Sequence, residues 1–146
     1  REMARVARNR VVLLTWVPDS PPFWLTQDYF PEVLAHDRTI FPTTAALTSL
    51  LEREIGPTRI APVPVPHDCI DGFLCAYWRR PECYLDAERR GAISSFARIN
   101  VETGLSKLRD DLASGRWAER NRSLSGLDAL DLGYRAVCCE LGGGNK

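Results

Sequence analysis

Residues 11–18 read VVLLTWVP, and this stretch decides how the rest of the chain can fold. Five of its first six residues are apolar, they do not alternate with polar residues, and the run ends at Pro18. A continuous apolar run this short is typical of a strand buried on both faces, as in the parallel sheets of α/β proteins. A helix-like segment (residues 1–7) precedes it, and a loop rich in proline and aromatic residues follows. Because open α/β sheets bind ligands at the carboxyl ends of such strands, we expect a functional loop there.

The length, composition and net charge of the chain indicate which classes of protein it can belong to. Its 146 residues suffice for one domain with a substantial core, and 45% hydrophobic with 26% charged residues is typical of a soluble globular protein. The formal net charge is zero, which argues against general binding to nucleic acid or to an anionic membrane. No apolar run approaches the roughly 20 residues that span a bilayer, and no secretory signal is evident. We therefore expect a cytoplasmic protein with neither a nucleic-acid nor a membrane partner.

The five cysteines favour reduced thiols over disulfides or a metal site. Their odd number argues against a disulfide framework. His67, Asp68 and Cys69 stand together, but Cys75 and Cys83 follow at wide spacings and form no CxxC pair. Compact zinc sites usually take two ligands from one tight turn. We therefore expect small buried thiols and no metal site.

Two more segments have the character of strands. Residues 59–66 read RIAPVPVP, and their alternating prolines remove the backbone donors of one side. Such a strand can pair on the other side only, so the pattern predicts an edge strand. Residues 134–141 are mostly apolar and predict an interior strand. The clearest helix lies earlier, from Thr43 to Ile55, with a threonine cap and a Gly56-Pro57 stop.

The rest of the chain predicts helices joined by short loops. Helical spacing is expected over residues 72–80, 86–99 and 102–120, with Gly115 able to break the last one. The charges of this last helix balance and indicate a face exposed to solvent. They are Lys107, Arg109, Asp110 and Asp111.

Two segments have both a structural and a functional interpretation. His67 lies at the exit of the predicted edge strand, where a histidine can serve as a general base or bind a substrate, with Asp68 beside it. The alternative is that both residues only pin the loop. Residues 20–41 form either a segment packed on the surface or an aromatic lid over a site at the end of the first strand.

Several stretches resemble the carboxyl-terminal half of class I S-adenosylmethionine-dependent methyltransferases, and in particular a bacterial subgroup of small-molecule enzymes. They are REMARVARNRVVLLTW (1–16), PHDCIDGFLCAYWRRPECYLD (66–86), ISSFARI (93–99), LRDDLASGRW (108–117) and LDLGYR (130–135). The resemblance implies an α/β fold with part of a Rossmann-like sheet, in which residues 11–16, 59–66 and 134–141 are the fifth, sixth and seventh strands. In that fold the antiparallel seventh strand lies between the other two, which agrees with the edge and interior positions inferred above.

The same resemblance implies methyl transfer from S-adenosylmethionine to a small-molecule acceptor. The strands that bind the cofactor in this family have no counterpart in the sequence. Residues 1–146 are therefore expected to be the acceptor-side part of one domain, and to contain no cofactor-binding residue. We expect this fragment to be inactive alone and to expose an apolar edge at residues 11–16. The implied acceptor-binding residues are Thr15, Trp16, Trp24, Tyr29, Tyr77 and Trp78. The candidate catalytic residues are His67, as a base, and Asp68, which would orient it.

Two other interpretations belong to different functional classes. The chain could be a non-catalytic binding or interaction module that retains part of the fold, which the missing cofactor half and the zero net charge support. The other interpretation is a zinc-dependent regulator that uses His67 and the cysteines, and the spacing of these residues gives it little support.

Overall fold

The computed structural model describes residues 2–141, which divide into two compact units. We call the first the sheet unit; it comprises the described parts of residues 1–21, 38–63 and 133–146. We call the second the aromatic unit; it comprises residues 22–37 and 64–132. Each unit is described by itself below.

The helices and strands are short, and they do not alternate regularly along the chain. They are α1 (Glu2–Val6), β1 (Arg10–Trp16), α2 (Pro31–Ile40), α3 (Thr44–Glu54), β2 (Thr58–Pro62), β3 (Val65–Pro66), α4 (Ala87–Gly91), α5 (Glu102–Ala113), α6 (Arg116–Arg120), β4 (Ala129–Leu130) and β5 (Tyr134–Glu140). A π-helix spans Leu25–Tyr29, and 3-10 helices span Pro81–Leu85, Ser94–Arg98 and Arg122–Leu124. Throughout residues 2–141, every helix is too short or too polar to cross a membrane.

The sheet unit is built on three strands, in which the central strand pairs antiparallel with a neighbour on each side. The spatial order is β1–β5–β2, with Val12 opposite Cys138 and Ile60 opposite Val137. Within the described residues β5 is the central strand, which confirms the interior position predicted from its apolar content. β2 is an edge strand there, which confirms the position predicted from its proline spacing. The mixed α/β character with antiparallel strands is likewise as expected.

The predicted edge strand over residues 59–66 is wrong in its extent. β2 ends at Pro62, and after Val63 donates its N–H to the carbonyl oxygen of Tyr134 at 2.9 Å the pairing stops. β3 instead pairs with β4 in a separate two-stranded sheet of the aromatic unit. The pairing of β2 stops after Val63 because the partner strand β5 begins at Tyr134, and the preceding Gly133, with a φ of +93°, turns the chain out of the ladder.

The expectation that β1 is buried on both faces is also wrong for the described residues. Leu47 and Leu51 of α3 join Val11 and Val137 in the core of the sheet unit. On the opposite face of the strand, Val12 is 64% and Leu14 is 70% exposed. Both are apolar, so sequence pattern could not distinguish the covered face from the open one.

The helix predicted over residues 72–80 does not form. These residues make consecutive turns, held by the hydroxyl group of Tyr84, which accepts the N–H of Tyr77 at 3.2 Å and donates to the oxygen of Leu74 at 2.6 Å.

The predicted helix over 102–120 does form, and it breaks at Gly115, whose φ of +77° favours glycine. Cys75, Cys83 and Cys139 are buried, as expected for small buried thiols, whereas Cys69 and Cys138 are half-buried.

Candidate functional site

The end of β1 carries two of the predicted site residues, and its conformation depends on Gly133. Thr15 donates its hydroxyl to the oxygen of Trp16 at 3.2 Å, and the Trp16 ring meets that of Phe41 edge-on, with centroids 5.6 Å apart. Gly133 has a φ of +93°, and a Cβ there would lie 2.6 Å from Ser20 and 2.7 Å from Trp16 Nε1. Only glycine therefore allows this close approach in the sheet unit.

The loop after β1 is joined to the start of α3. The backbone N–H and the hydroxyl of Thr44 donate to Asp19 Oδ1 at 2.9 and 3.1 Å. Partial burial raises the pKa of Asp19, but these hydrogen bonds outweigh it, so the pKa lies below the ordinary value. The carboxylate is thus an additional cap on the helix, beside the predicted cap Thr43.

Four of the other predicted residues meet in the interior of the aromatic unit. Trp24 donates its indole N–H to the oxygen of Trp78 at 2.9 Å, and its ring lies 5.8 Å from that of Tyr29. Tyr84 links this group to Tyr77, since its ring lies 5.7 Å from Trp24 and 5.4 Å from Tyr77. The edge-to-face geometry of these pairs adds to the stabilisation that burial alone provides.

These four aromatic residues have almost no surface exposed to solvent. Trp24 is 6%, Tyr29 4%, Tyr77 6% and Trp78 0% exposed. The indole N–H of Trp78 is also engaged, because it donates to the oxygen of Val65 at 3.0 Å. They form the core of the aromatic unit, and their contact with an acceptor stays a prediction.

Tyr29 ends a π-helix and contacts an ion cluster that the sequence did not predict, made of one buried carboxylate and cations at the surface. Its hydroxyl donates to Asp111 Oδ2 at 2.8 Å and accepts from Arg120 Nη2 at 2.7 Å. Asp111 also pairs with Arg120 directly, and with Arg116 Nε at 2.7 Å. Lys107 Nζ lies 5.5 Å from the centre of the Tyr29 ring. Two helices, α5 and α6, thus supply the charges around one hydroxyl group.

The expectation that Asp111 lies on a solvent-exposed face is wrong, since the residue is only 4% exposed. Burial raises its pKa, but hydrogen bonds from Arg116, Tyr29 and Arg120 outweigh this and lower the pKa to about 2. Burial and the Asp111 carboxylate both raise the pKa of Tyr29. The signal was present in the sequence, because Asp111 follows Leu105 and Leu108 at three-residue intervals on the apolar stripe of α5.

His67 and Asp68 lie directly after β3, as their strand-exit position predicted. The backbone N–H of His67 donates to the oxygen of Asp128 at 2.9 Å. The His67 side chain is half-buried and Asp68 is exposed. Within residues 2–141 no hydrogen bond joins the two side chains, and orientation of His67 by Asp68 stays a prediction.

The structure also offers a surface site that involves none of the predicted residues. A surface cavity of about 450 Å³ lies between α6 and the following 3-10 helix, with Trp117, Asn121 and Arg122 among its lining residues. Among residues 2–141, no group of three or more His, Cys, Asp or Glu side chains could hold a metal ion.

Comparison with known proteins gives one informative similarity. The chain is similar to a protein of Anabaena variabilis ATCC 29413, provisionally assigned as a methyltransferase from an antibiotic biosynthesis pathway, whose crystal structure is known. The identity is 39% and the TM-score 0.86, over 96% of this chain and 58% of the other. The chain thus spans less than two thirds of that protein. No family model and no curated protein matches the chain. The resemblance to class I methyltransferases seen in the sequence is thereby confirmed.

Proposed function

We propose that this chain is the acceptor-side part of an S-adenosylmethionine-dependent methyltransferase that acts on a small molecule, with no nucleic-acid or membrane partner. The observation that carries the proposal is the similarity to the Anabaena protein along nearly the whole chain. The order β1–β5–β2, with β5 antiparallel to both neighbours, supports it, because this is the order that the resemblance implied for the last three strands.

The described residues do not fit the cofactor. A phosphate- or cofactor-cradling loop needs closely spaced glycines between a strand and a helix, and the glycines of residues 2–141 are scattered. Gly142, Gly143 and Gly144, expected to belong to a flexible tail, lie outside the described residues. We therefore assign S-adenosylmethionine, which supplies the methyl group, to a part of the protein beyond this sequence.

The contribution of this chain is to place and activate the acceptor. Alignment of the acceptor supplies much of the rate of an in-line displacement. The loop after β1, fixed by Gly133 and Asp19, provides a preorganised segment for that alignment. His67 is half-buried, so its imidazole remains accessible and can accept a proton from an acceptor oxygen or nitrogen.

The test uses the protein expressed from its complete coding sequence. We expect S-adenosylmethionine to bind in isothermal titration calorimetry, and S-adenosylhomocysteine to form with at least one member of a panel of small phenols, amines and acids. His67→Ala should lower kcat by roughly 10²–10⁴-fold if His67 is the base. His36→Ala is the matched control, since His36 lies in α2 and should leave kcat unchanged.

The 146-residue chain alone should neither bind the cofactor at micromolar concentration nor transfer a methyl group. Binding by this chain alone would contradict its assignment as the acceptor-side part. If the complete protein also fails to bind S-adenosylmethionine, the methyltransferase proposal is wrong and the non-catalytic binding module replaces it.

A further inference from the structure

The loop His67–Gly72 connects β3 with the turns of residues 73–80 and is held at both ends. His67 donates its backbone N–H to Asp128, and a Cβ on Gly72 would lie 2.8 Å from the Cβ of Ala92. The residues between these ends are exposed or half-buried, and Ile70 at the tip is 91% exposed. The ends of the loop are therefore fixed, while its middle lies at the surface of the aromatic unit.

Arg80 reaches the middle of this loop. Its Nη2 donates to the carbonyl oxygen of Cys69 and, at 3.3 Å, to that of Ala76. Its guanidinium carbon lies 5.3 Å from the centre of the Tyr77 ring. Among residues 2–141, no other side chain donates a hydrogen bond to residues 68–71. Because the donor is charged, this contact is stronger than a hydrogen bond between neutral groups.

The surface on which Arg80 lies is rigid. Tyr77 is buried, its N–H is bound by the hydroxyl of Tyr84, and the two rings pack edge to face. Tyr84 itself is fully buried and donates to Leu74. The middle of the loop is thus joined to the core of the aromatic unit through one guanidinium group.

We propose that Arg80 is a positioning residue that sets the conformation of the His67–Gly72 loop and thereby the placement of His67 and Asp68. The roles of those two residues rest on the proposed function, but the control of the loop by Arg80 does not. The neighbouring Arg79 makes a natural contrast, since its Nη1 donates to Ser125 and Leu127, at 3.3 and 2.8 Å, and not to the loop.

The experiment compares Arg80→Gln, Arg80→Lys and Arg79→Gln in the full-length protein. The first readout is the alkylation rate of the Cys69 thiol with iodoacetamide, followed by peptide mass spectrometry. The second is the ring-proton NMR signal of His67, assigned by its loss in a His67→Gln variant, in a chain segment with only two histidines.

Loss of a charged hydrogen bond should raise the alkylation rate by roughly tenfold in Arg80→Gln and should shift the His67 signal. Arg79→Gln should change the alkylation rate by less than about twofold and leave the His67 signal in place. Arg80→Lys keeps a charged donor without the planar fork, so it should restore part of the protection of Cys69.

Two outcomes would overturn the proposal. One is an unchanged Cys69 rate and His67 signal in Arg80→Gln; the other is an equal change in Arg79→Gln, which would indicate general loss of stability. Neither readout uses cofactor or acceptor. A protein in which Arg80 controls the loop but no methyl transfer occurs would therefore count against the proposed function alone.

Discussion

The sheet unit and the aromatic unit are stabilised in different ways. In the sheet unit the strand β5 pairs along its length with β1 and β2, and a small aliphatic core with Leu47 and Val137 covers one face. In the aromatic unit the pairing of β3 with β4 covers only two residues of each strand. Its loops are tied instead by side chains that donate to carbonyl oxygens, as Trp78 does to Val65 and Arg80 to Cys69.

This difference has consequences for how each unit responds to substitution. A backbone ladder tolerates changes of exposed side chains, because its hydrogen bonds do not depend on them. A unit held by indole, phenol and guanidinium groups loses both packing and hydrogen bonds when one of them is removed. Three of the four tryptophans lie in the aromatic unit, so tryptophan fluorescence mainly reports on its unfolding.

The largest effect is expected for Trp78→Ala. This change removes a fully buried indole, its hydrogen bond to Val65 and the packing around it. We expect a loss of about 3–5 kcal/mol in the free energy of unfolding, measured by urea denaturation. Trp78→Phe should cost less, because it keeps most of the packing. Equal losses in the two variants would show that the hydrogen bond, and not the volume, dominates.

Gly104→Ala is expected to be the next most damaging change. A Cβ at Gly104 would overlap the carbonyl oxygen of Tyr29 and lie 2.7 Å from Cδ1 of Phe30, so α5 could no longer approach the π-helix. We expect a loss of about 1–3 kcal/mol in the same assay.

Gly91→Ala is the matched control, since a Cβ there meets nothing within 4 Å and φ is not in the left-handed region. This substitution should be neutral or should stabilise by about 0.4–1 kcal/mol, through the reduced entropy of the unfolded chain. If both glycines tolerate alanine, the close packing of α5 on the π-helix is not needed for stability.

The buried carboxylate of Asp111 should make the aromatic unit sensitive to acid. Its pKa is about 2 in the folded state, below the value of 3.8 for an unperturbed aspartate. Its stabilising contribution is therefore complete above about pH 4 and is lost as the pH falls toward 2, on the order of 2 kcal/mol in all.

Asp111→Asn should remove this dependence and lower the stability at pH 7, as followed by urea denaturation at several pH values. The exposed neighbour Asp110 provides the control, and Asp110→Asn should leave the pH profile unchanged. An unchanged profile in Asp111→Asn would mean that other carboxylates determine the acid sensitivity.

The smallest effect is expected for Leu14→Thr in the sheet unit. Leu14 is 70% exposed on the open face of β1, and threonine also favours strands, so the free energy of unfolding should change by less than about 0.5 kcal/mol. The 146-residue chain should nevertheless associate less in light scattering, because the exposed apolar area is smaller. A large loss of stability would show that this face is covered.

Part of the candidate site could be predicted from sequence, and part could not. The position of His67 after a strand and the aromatic character of residues 23–30 and 73–84 were apparent, because they depend on residue type and order. The contact of Asp111 with Tyr29 and that of Arg80 with Cys69 were not apparent. Both depend on partners that lie far along the chain or across a turn whose path no local pattern specifies.

The sequence by itself determined those elements that local chemistry constrains. Thr43 caps α3 and Gly56 with Pro57 ends it, proline spacing places β2 at an edge, and Gly115 separates α5 from α6. Only the tertiary structure decided which face of β1 is covered, how residues 72–80 run, and that β3 leaves the main sheet for β4. The reason is physical: caps and φ angles act within a few residues, whereas burial and side-chain hydrogen bonds depend on which distant segments meet.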